Sequence, residues 1–385
     1  MLRRFGISIA LLIVIVLAAL GFLAWTLSSR VIVPQPYALM PEFNVVAYQN
    51  GVVTLPPAGD GAPQFARSDA VGAYGLLWDG GFGHLGEVQA GSSGAIQRDL
   101  TVVTGSAPSA GTPARLDSFY FRRDPLADHG FEYQELTLPG EVGDLRAWYV
   151  PGQGRTAALM LHGRRRGELA ETLRMLPVFE RLGMPVLAVA YRNHDRSTAS
   201  PDGLYHYGGS EWRDAITGAQ YLAAQGIDRV VLVGFSMGGA VALEALERWS
   251  RALPEPIALV LDSPLVDPYE VVKLGAVKAG LPLPGPLTRL ALLAARVRTG
   301  VDFGSLDQVK TVRSLSLPIL LMAGTADSTV PIEAVDAFAA AAGPNLVYYR
   351  LDGVEHVEAW NHDPAAYEEA VRTFVTGLEI RALAP

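Results

Sequence analysis

The chain contains no cysteine, which excludes disulfides, thiolate metal sites and a cysteine nucleophile. Lysine is nearly as scarce: Lys273, Lys278 and Lys310 stand against 28 arginines, a bias of coding rather than of mechanism. Charge is sparse as well. Only 18% of the residues are charged, and 31 basic against 39 acidic side chains leave a net charge of −8, which argues against a protein built to grip nucleic acid. The sequence has no internal repeat. What it has in quantity is apolar character, half of its residues, so wholesale disorder is excluded and a large core is available. Its 385 residues suffice, at roughly 150 per domain, for one large domain plus an additional piece or for two ordinary domains.

The apolar residues are unevenly spread along a chain whose mean hydropathy is +0.22. From Phe5 to Leu27 run 23 residues without a charge, FGISIALLIVIVLAALGFLAWTL. As a helix rising about 1.5 Å per residue the run is roughly 34 Å long, enough to cross the hydrocarbon core of a bilayer. Arg3 and Arg4 precede it, and Trp25 sits near its far end, where interfacial aromatics collect. Residues 1–30 are therefore expected to be a retained single-pass transmembrane anchor, with the N-terminus cytoplasmic and the body exported. A cleaved signal peptide is the alternative. Its apolar region is typically about 7–15 residues and ends in small residues, whereas this run is longer and ends AWTLSSR.

Residues 34–125 are expected to form a small β-rich accessory region packed on the C-terminal part of the chain. Within them, residues 34–115 hold 13 of the 40 glycines and 8 of the 26 prolines, yet the stretch is not low-complexity. Phe43–Tyr48 and Val52–Leu55 are strand-like runs joined through Asn50-Gly51, a strong hairpin signal. Ala73–Trp78 and His84–Val88 flank Asp79-Gly80-Gly81, a second hairpin candidate, and Gln97–Thr104 reads as a further strand. His84 is expected to be a surface turn histidine.

From about residue 130 to 380 the pattern changes. Phe131–Leu138 and Leu145–Val150 suit an antiparallel start. Thr156–Leu161, Val186–Tyr191, Arg229–Gly234, Ile257–Asp262, Ile319–Ala323 and Leu346–Leu351 then read as strands buried on both faces. Helical patterns lie between and after them at Glu168–Leu182, Ser210–Gln225, Gly238–Arg251, Ile332–Ala341 and Pro364–Leu378. Alternation of this kind predicts an α/β fold, a mostly parallel sheet with helices on both faces. Residues 264–315 interrupt the rhythm and are expected to be a helical cap over the sheet's C-terminal edge, where such sheets bind ligands. Leu281, Leu283, Leu287 and Leu290 are its candidate pocket residues.

Gly234-Phe235-Ser236-Met237-Gly238-Gly239 comes directly after the strand RVVLV and opens a helix, the context in which G-x-S-x-G marks a nucleophile elbow. Ser236 needs a base. His356, in the loop after the last strand, is the candidate, in preference to His362, which sits six residues on beside Asp363-Pro364. Of the other histidines, His162 is placed for loop positioning, His194 and His206 for a substrate cleft, and His129 for a structural role. Asp327, in the loop leaving the strand ILLMA, is the candidate orienting acid, with Asp262 as its competitor. An oxyanion hole is expected from the backbone N–H groups of Met237 and of Arg164, the latter in the loop His162-Gly163-Arg164-Arg165-Arg166-Gly167. The three arginines either hold an anionic substrate group or pair with water and acids such as Glu168.

The order Ser236, Asp327, His356, the elbow and the His-Gly loop resemble the α/β-hydrolase family. With GFSMGG, G-x-x-D-x-x-V-P and a final G-x-x-H, the chain is similar to its serine-aminopeptidase-like and ABHD-type branch. The resemblance spans residues 130–380 and implies a Ser–His–Asp hydrolase with no metal and no organic cofactor. The three arginines after His-Gly depart from the small or aromatic residues of many members, so pocket specificity does not carry over. The expected activity is cleavage of small-molecule or lipid-like carboxylic esters at a membrane, with a serine peptidase or thioesterase using the same triad as the alternative. A non-enzymatic scaffold is disfavoured by the intact triad.

Overall fold

The computed structural model describes residues 2–34, 40–57, 67–91, 94–164, 168–194 and 196–382, without the side chains of 2–14, 16, 17, 168 and 379–382. The chain opens with helix α1 (Leu2–Ile32). Much of the uncharged run Phe5–Leu27 has side chains outside those described. Among the described residues no helix is long and apolar enough to cross a membrane. The last turns of α1 pack against protein: Ala24, Ser28 and Ile32 are buried, and the Ile32 carbonyl accepts from the Tyr205 N–H at 2.8 Å.

The accessory region is an antiparallel sheet. Its strands are β1 (Phe43–Asn44), β2 (Ala47–Gln49), β3 (Val52–Leu55), β4 (Gly75–Trp78), β5 (Gly81–Leu85), β6 (Gln89–Ala90), β7 (Ile96–Gly105) and β8 (Pro113–Asp117). They run in the order β1-β8-β4-β5-β7-β3-β2, with β6 also on β7. Asn50 and Gly51, at φ 52° and 83°, close the β2–β3 hairpin, because a two-residue turn matching strand twist needs positive φ at both positions. Val53, Leu55, Leu76 and Trp78 form its small core. Arg98 is fully buried beside that core and donates to the carbonyls of Gly86, Ala70 and Gly72, which replaces the water its guanidinium loses. His84 is a correction to the expected surface turn. It lies in β5, half-buried, stacked on Tyr120 with ring centroids 3.8 Å apart, and burial lowers its pKa.

After α2 (Pro125–His129), the main sheet is built from β9 (Gln134–Gly140), β10 (Gly143–Val150), β11 (Thr156–Leu161), β12 (Val186–Ala190), β13 (Arg229–Phe235), β14 (Glu255–Asp262), β15 (Ile319–Gly324) and β16 (Leu346–Leu351). Among the described residues its order is β16-β15-β14-β13-β11-β12-β10-β9, with the β9–β10 and β10–β12 pairs antiparallel and the other pairs parallel. Helices α3 (Glu168–Thr172), α4 (Leu176–Arg181), α5 (Trp212–Ala224), α6 (Met237–Leu246), α7 (Pro268–Lys278), α8 (Pro284–Thr299), α9 (Gln308–Val312), α10 (Ile332–Ala342), α11 (Ala359–His362) and α12 (Pro364–Ala382) complete the chain. Strand side chains alternate between the faces. Leu159 and Leu232 meet α5, α6 and α10 on one side, while Met160 and Val233 meet α4 and α12 on the other.

Two local expectations change. The helix expected at Glu168–Leu182 is broken between Thr172 and Leu176, and Pro177, with no N–H to donate, sits in the first turn of the second piece. Leu346–Leu351 is the sheet's edge, so β16 is not buried on both faces but has half-exposed and exposed residues throughout.

Candidate active site

Ser236 joins β13 to α6 with φ 49° and ψ −115°, a conformation costing on the order of 1–3 kcal/mol that persists only because its surroundings fix it. They do so by close packing. A Cβ on Gly238 would lie 2.0 Å from the Leu161 carbonyl oxygen, and one on Gly234 would lie 2.5 Å from Gly239 Cα. The strand and helix cross without side chains between them, and the serine is pushed above the sheet edge.

His356 and Asp327 reach it from the loops after β16 and β15. His356 Nδ1 is 2.7 Å from Asp327 Oδ2, and Nε2 is 2.8 Å from Ser236 Oγ. A carboxylate only accepts, so Nδ1 carries the proton and Nε2 is left to take one from the serine. Asp327 Oδ1 accepts from the N–H groups of Thr329 and Val330, both at 2.8 Å, which fixes the carboxylate plane. All three residues are buried.

Asp262 does not join this chain. Its carboxylate accepts from Tyr367 OH at 3.0 Å and from Ser263 Oγ at 3.2 Å, and burial raises its pKa to about 6. Ser263 Oγ in turn accepts from the Val357 N–H at 3.0 Å, so this group buttresses the loop carrying His356.

Met237, the first residue of α6, is buried, and among the described residues neither its N–H nor that of Arg164 donates to a protein acceptor. Both are placed beside Ser236 at the rim of one cavity. The loop holding Arg164 is fixed from below. The Gly163 N–H donates to Glu171 Oε2, Tyr191 OH donates to the His162 carbonyl at 2.8 Å, and a Cβ on Gly163 would press on Ser236 Cβ at 3.2 Å. Arg164 lines the same cavity, and its Nη1 donates to Tyr207 OH at 2.5 Å and to the Val31 carbonyl at 3.1 Å. Arg165, Arg166 and the Glu168 side chain lie outside the described residues.

A layer of buried charge that also lines the cavity lies beside the site. Glu171 and Arg174 are 5% and 2% exposed and 3.5 Å apart. Arg174 also donates to the Val357 carbonyl at 2.6 Å and to Asn361 Oδ1 at 3.1 Å. Asn361 Nδ2 donates to the carbonyls of Ala73 and Ser118, at 2.6 and 2.9 Å, and Tyr74 OH donates to Glu358 at 2.8 Å. The accessory sheet is thus joined through Asn361, Arg174 and Glu171 to the Gly163 loop. In sequence, Glu171 and Arg174 look like the solvent side of an amphipathic helix, and nothing local distinguishes them from one.

The remaining histidines take structural places. His162 is fully buried and stacked on Tyr191, with burial pushing its pKa well down. His129 stacks on Phe131 and bonds the Leu173 carbonyl. His194 and His206 correct the expectation of a substrate cleft. His194 packs between Tyr191 and Tyr205, and His206 bonds Asp202 and Ser210, each at 2.8 Å. His362, at the end of α11, is exposed.

The cavity above Ser236 measures about 410 Å³. The cap insertion supplies Val271, Ala276, Leu281, Leu287 and Ala291, and α1 supplies Leu27, Arg30 and Val31. Of the four leucines expected there, Leu281 and Leu287 line it. Leu290 does not, and Leu283, 72% exposed, faces away. Thr288, 1% exposed, also lines the cavity, and its Oγ1 has no hydrogen-bond partner among the described residues.

A serine on a strand–helix elbow, in contact with a carboxylate-oriented histidine at the C-terminal edge of a parallel sheet, defines the class: a hydrolase-type α/β protein. The model of the alpha/beta hydrolase family matches residues 158–379, and the chain belongs to that family. It is similar to an uncharacterised protein of Mycobacterium tuberculosis, 29% identical over 241 residues that make up 60% of this chain and 75% of that one. It is also similar to human protein ABHD12B, 29% identical over 56% of this chain and 59% of the human protein. A Pyrococcus furiosus esterase structure shares the fold, with a TM-score of 0.53 and 24% identity over 66% of this chain and 94% of that one. The protein is a hydrolase.

Proposed function

We propose that the protein cleaves carboxylic esters through an acyl-enzyme formed on Ser236. The observation that carries this reading is the unbroken line of contacts from Ser236 Oγ to His356 to Asp327, at 2.8 and 2.7 Å. Ser236 Oγ attacks the acyl carbon as its proton passes to His356 Nε2, and Asp327 stabilises the imidazolium that forms. The N–H groups of Met237 and Arg164 receive the oxyanion of the tetrahedral intermediate. His356 then gives its proton to the departing alkoxide oxygen, and water repeats the sequence in reverse roles, releasing the acid and restoring the serine. The apolar roof of the cavity, made largely by the cap, favours an acyl chain over a charged group. The uncharged run Phe5–Leu27 behind Arg3 and Arg4 supports a single-pass anchor with the body exported.

Labelling with a fluorophosphonate, together with hydrolysis of p-nitrophenyl esters, tests the chemistry. Wild type should label and turn over, and Ser236→Ala should do neither; equal labelling of the two overturns the reading. A preference for aminoacyl-anilides over esters would replace the ester by a peptide bond. For the anchor, the full-length chain should stay with membranes after alkaline carbonate extraction, and release into the supernatant would refute it.

A further inference from the structure

We propose that the last turns of α1 form a substrate-selecting wall of the acyl cavity, so that this helix is part of the binding site and not only a tether. The proposal rests on the ester-hydrolase reading above and extends it to a segment far from Ser236 in sequence. Leu27 and Val31, four residues apart, share one face of the helix and line the cavity together with Ala276, Leu287 and Ala291 of α7 and α8.

The wall is held in place at both ends of this segment. Arg298 of α8 donates from Nη1 to Ser28 Oγ and Ser29 Oγ, both at 2.8 Å, and its guanidinium lies 4.1 Å from the centre of the Trp25 ring. At the helix end, where carbonyls have no partner within the helix, the Val31 carbonyl accepts from Tyr207 OH at 2.5 Å and from Arg164 Nη1 at 3.1 Å. A guanidinium at a helix C-terminus also meets the favourable end of the helix dipole. Arg164 is the same residue whose N–H is proposed for the oxyanion hole, so the end of α1 is tied to the site's floor. Ile32, directly after the wall, is fully buried in the main core. An unbranched acyl chain bound to Ser236 would therefore lie against the wall that α1 and the cap form together.

The test uses the full-length chain in nanodiscs with two readouts. One is the ratio of kcat/KM for p-nitrophenyl dodecanoate to that for the acetate. The other is equilibrium binding of a fluorescent long-chain fatty acid to Ser236→Ala, which requires no chemistry. Filling the wall with Leu27→Trp or Val31→Trp should lower the ratio and weaken fatty-acid binding, each by about tenfold or more, because overpacked apolar sites reject chains of fixed size. Leu20→Trp, an exposed position of α1 outside the cavity, should change neither. Fatty-acid binding that is absent, or unchanged by both wall substitutions, overturns the wall even if wild type labels with fluorophosphonate. Weakened binding in a chain that never labels keeps the wall and removes the Ser236 ester-hydrolase reading.

Discussion

The floor and the roof of the cavity are assembled in different ways. Ser236, Asp327 and His356 stand on loops that leave three strands of one sheet, and each loop is placed by the strand before it. Leu27, Leu287 and Ala291 come from two helices outside the sheet that meet through contacts such as Arg298 with Trp25. A floor built on a hydrogen-bonded ladder fixes its groups within fractions of an ångström, as proton transfer requires. A roof built from packed helices tolerates change in shape, and on the proposed reading substrate preference is set there. Substitutions in the floor should therefore remove activity, and substitutions in the roof should redistribute it.

The largest expected effect separates the two carboxylates of the floor. Asp327→Asn leaves His356 with the wrong tautomer and should lower kcat by about 10³–10⁴-fold, while Asp262→Asn should stay within about threefold of wild type. Steady-state ester hydrolysis decides between them, and the reverse order would assign the orienting role to Asp262. Next comes the buttress beneath the Gly163 loop. Arg174→Met leaves the Glu171 carboxylate buried without its partner and should cost about 3–5 kcal/mol in urea denaturation. A loss below about 1 kcal/mol would mean that the pair is not holding the floor.

A third prediction concerns pH. Burial raises the Asp262 pKa from an ordinary 3.8 to about 6, so the folded protein holds this proton more tightly than the unfolded chain. The stability it contributes is present below about pH 4 and is lost as pH rises to about 6, a change of about 3 kcal/mol. The stability of wild type relative to Asp262→Asn, read from melts across pH 4–8, should accordingly decline through that window and flatten above it. A flat difference throughout would mean that Asp262 titrates normally. The smallest effect lies in the roof. Thr288→Val removes a buried hydroxyl that has no hydrogen-bond partner among the described residues and should raise stability by about 1 kcal/mol, seen as a higher Tm. A loss of stability would show that the hydroxyl has a partner, such as bound water.

Legibility divides along the same line. Ser236 stood out because an elbow needs glycines at fixed offsets between a strand and a helix, all local features. Asp327 and His356 are candidates from sequence because parallel strands deliver their C-terminal loops to one edge, so position after a strand is already a coordinate. Glu171, Arg174 and Asn361 were not found. Their burial arises where α3, the His356 loop and the accessory sheet converge, and a charged residue on a helical pattern otherwise reads as solvent-facing. His194 and His206 were misplaced for a related reason. Their loop comes after a strand, but it folds back onto aromatic and acidic neighbours rather than over the cavity.

By itself, the sequence determined the periodicities that make strands and helices, the elbow around Ser236, and the chain order of the three residues that meet there. These rest on interactions within a few residues or on the regular delivery of loops by a parallel sheet. Long-range packing, by contrast, sets Asp262 on Tyr367 instead of His356, braces the Gly163 loop with the accessory sheet, and brings α1 to one side of the cavity. Each of those depends on groups distant in sequence sharing one buried volume, where a polar atom must find a partner and an apolar one a neighbour. No local pattern records which partner that will be.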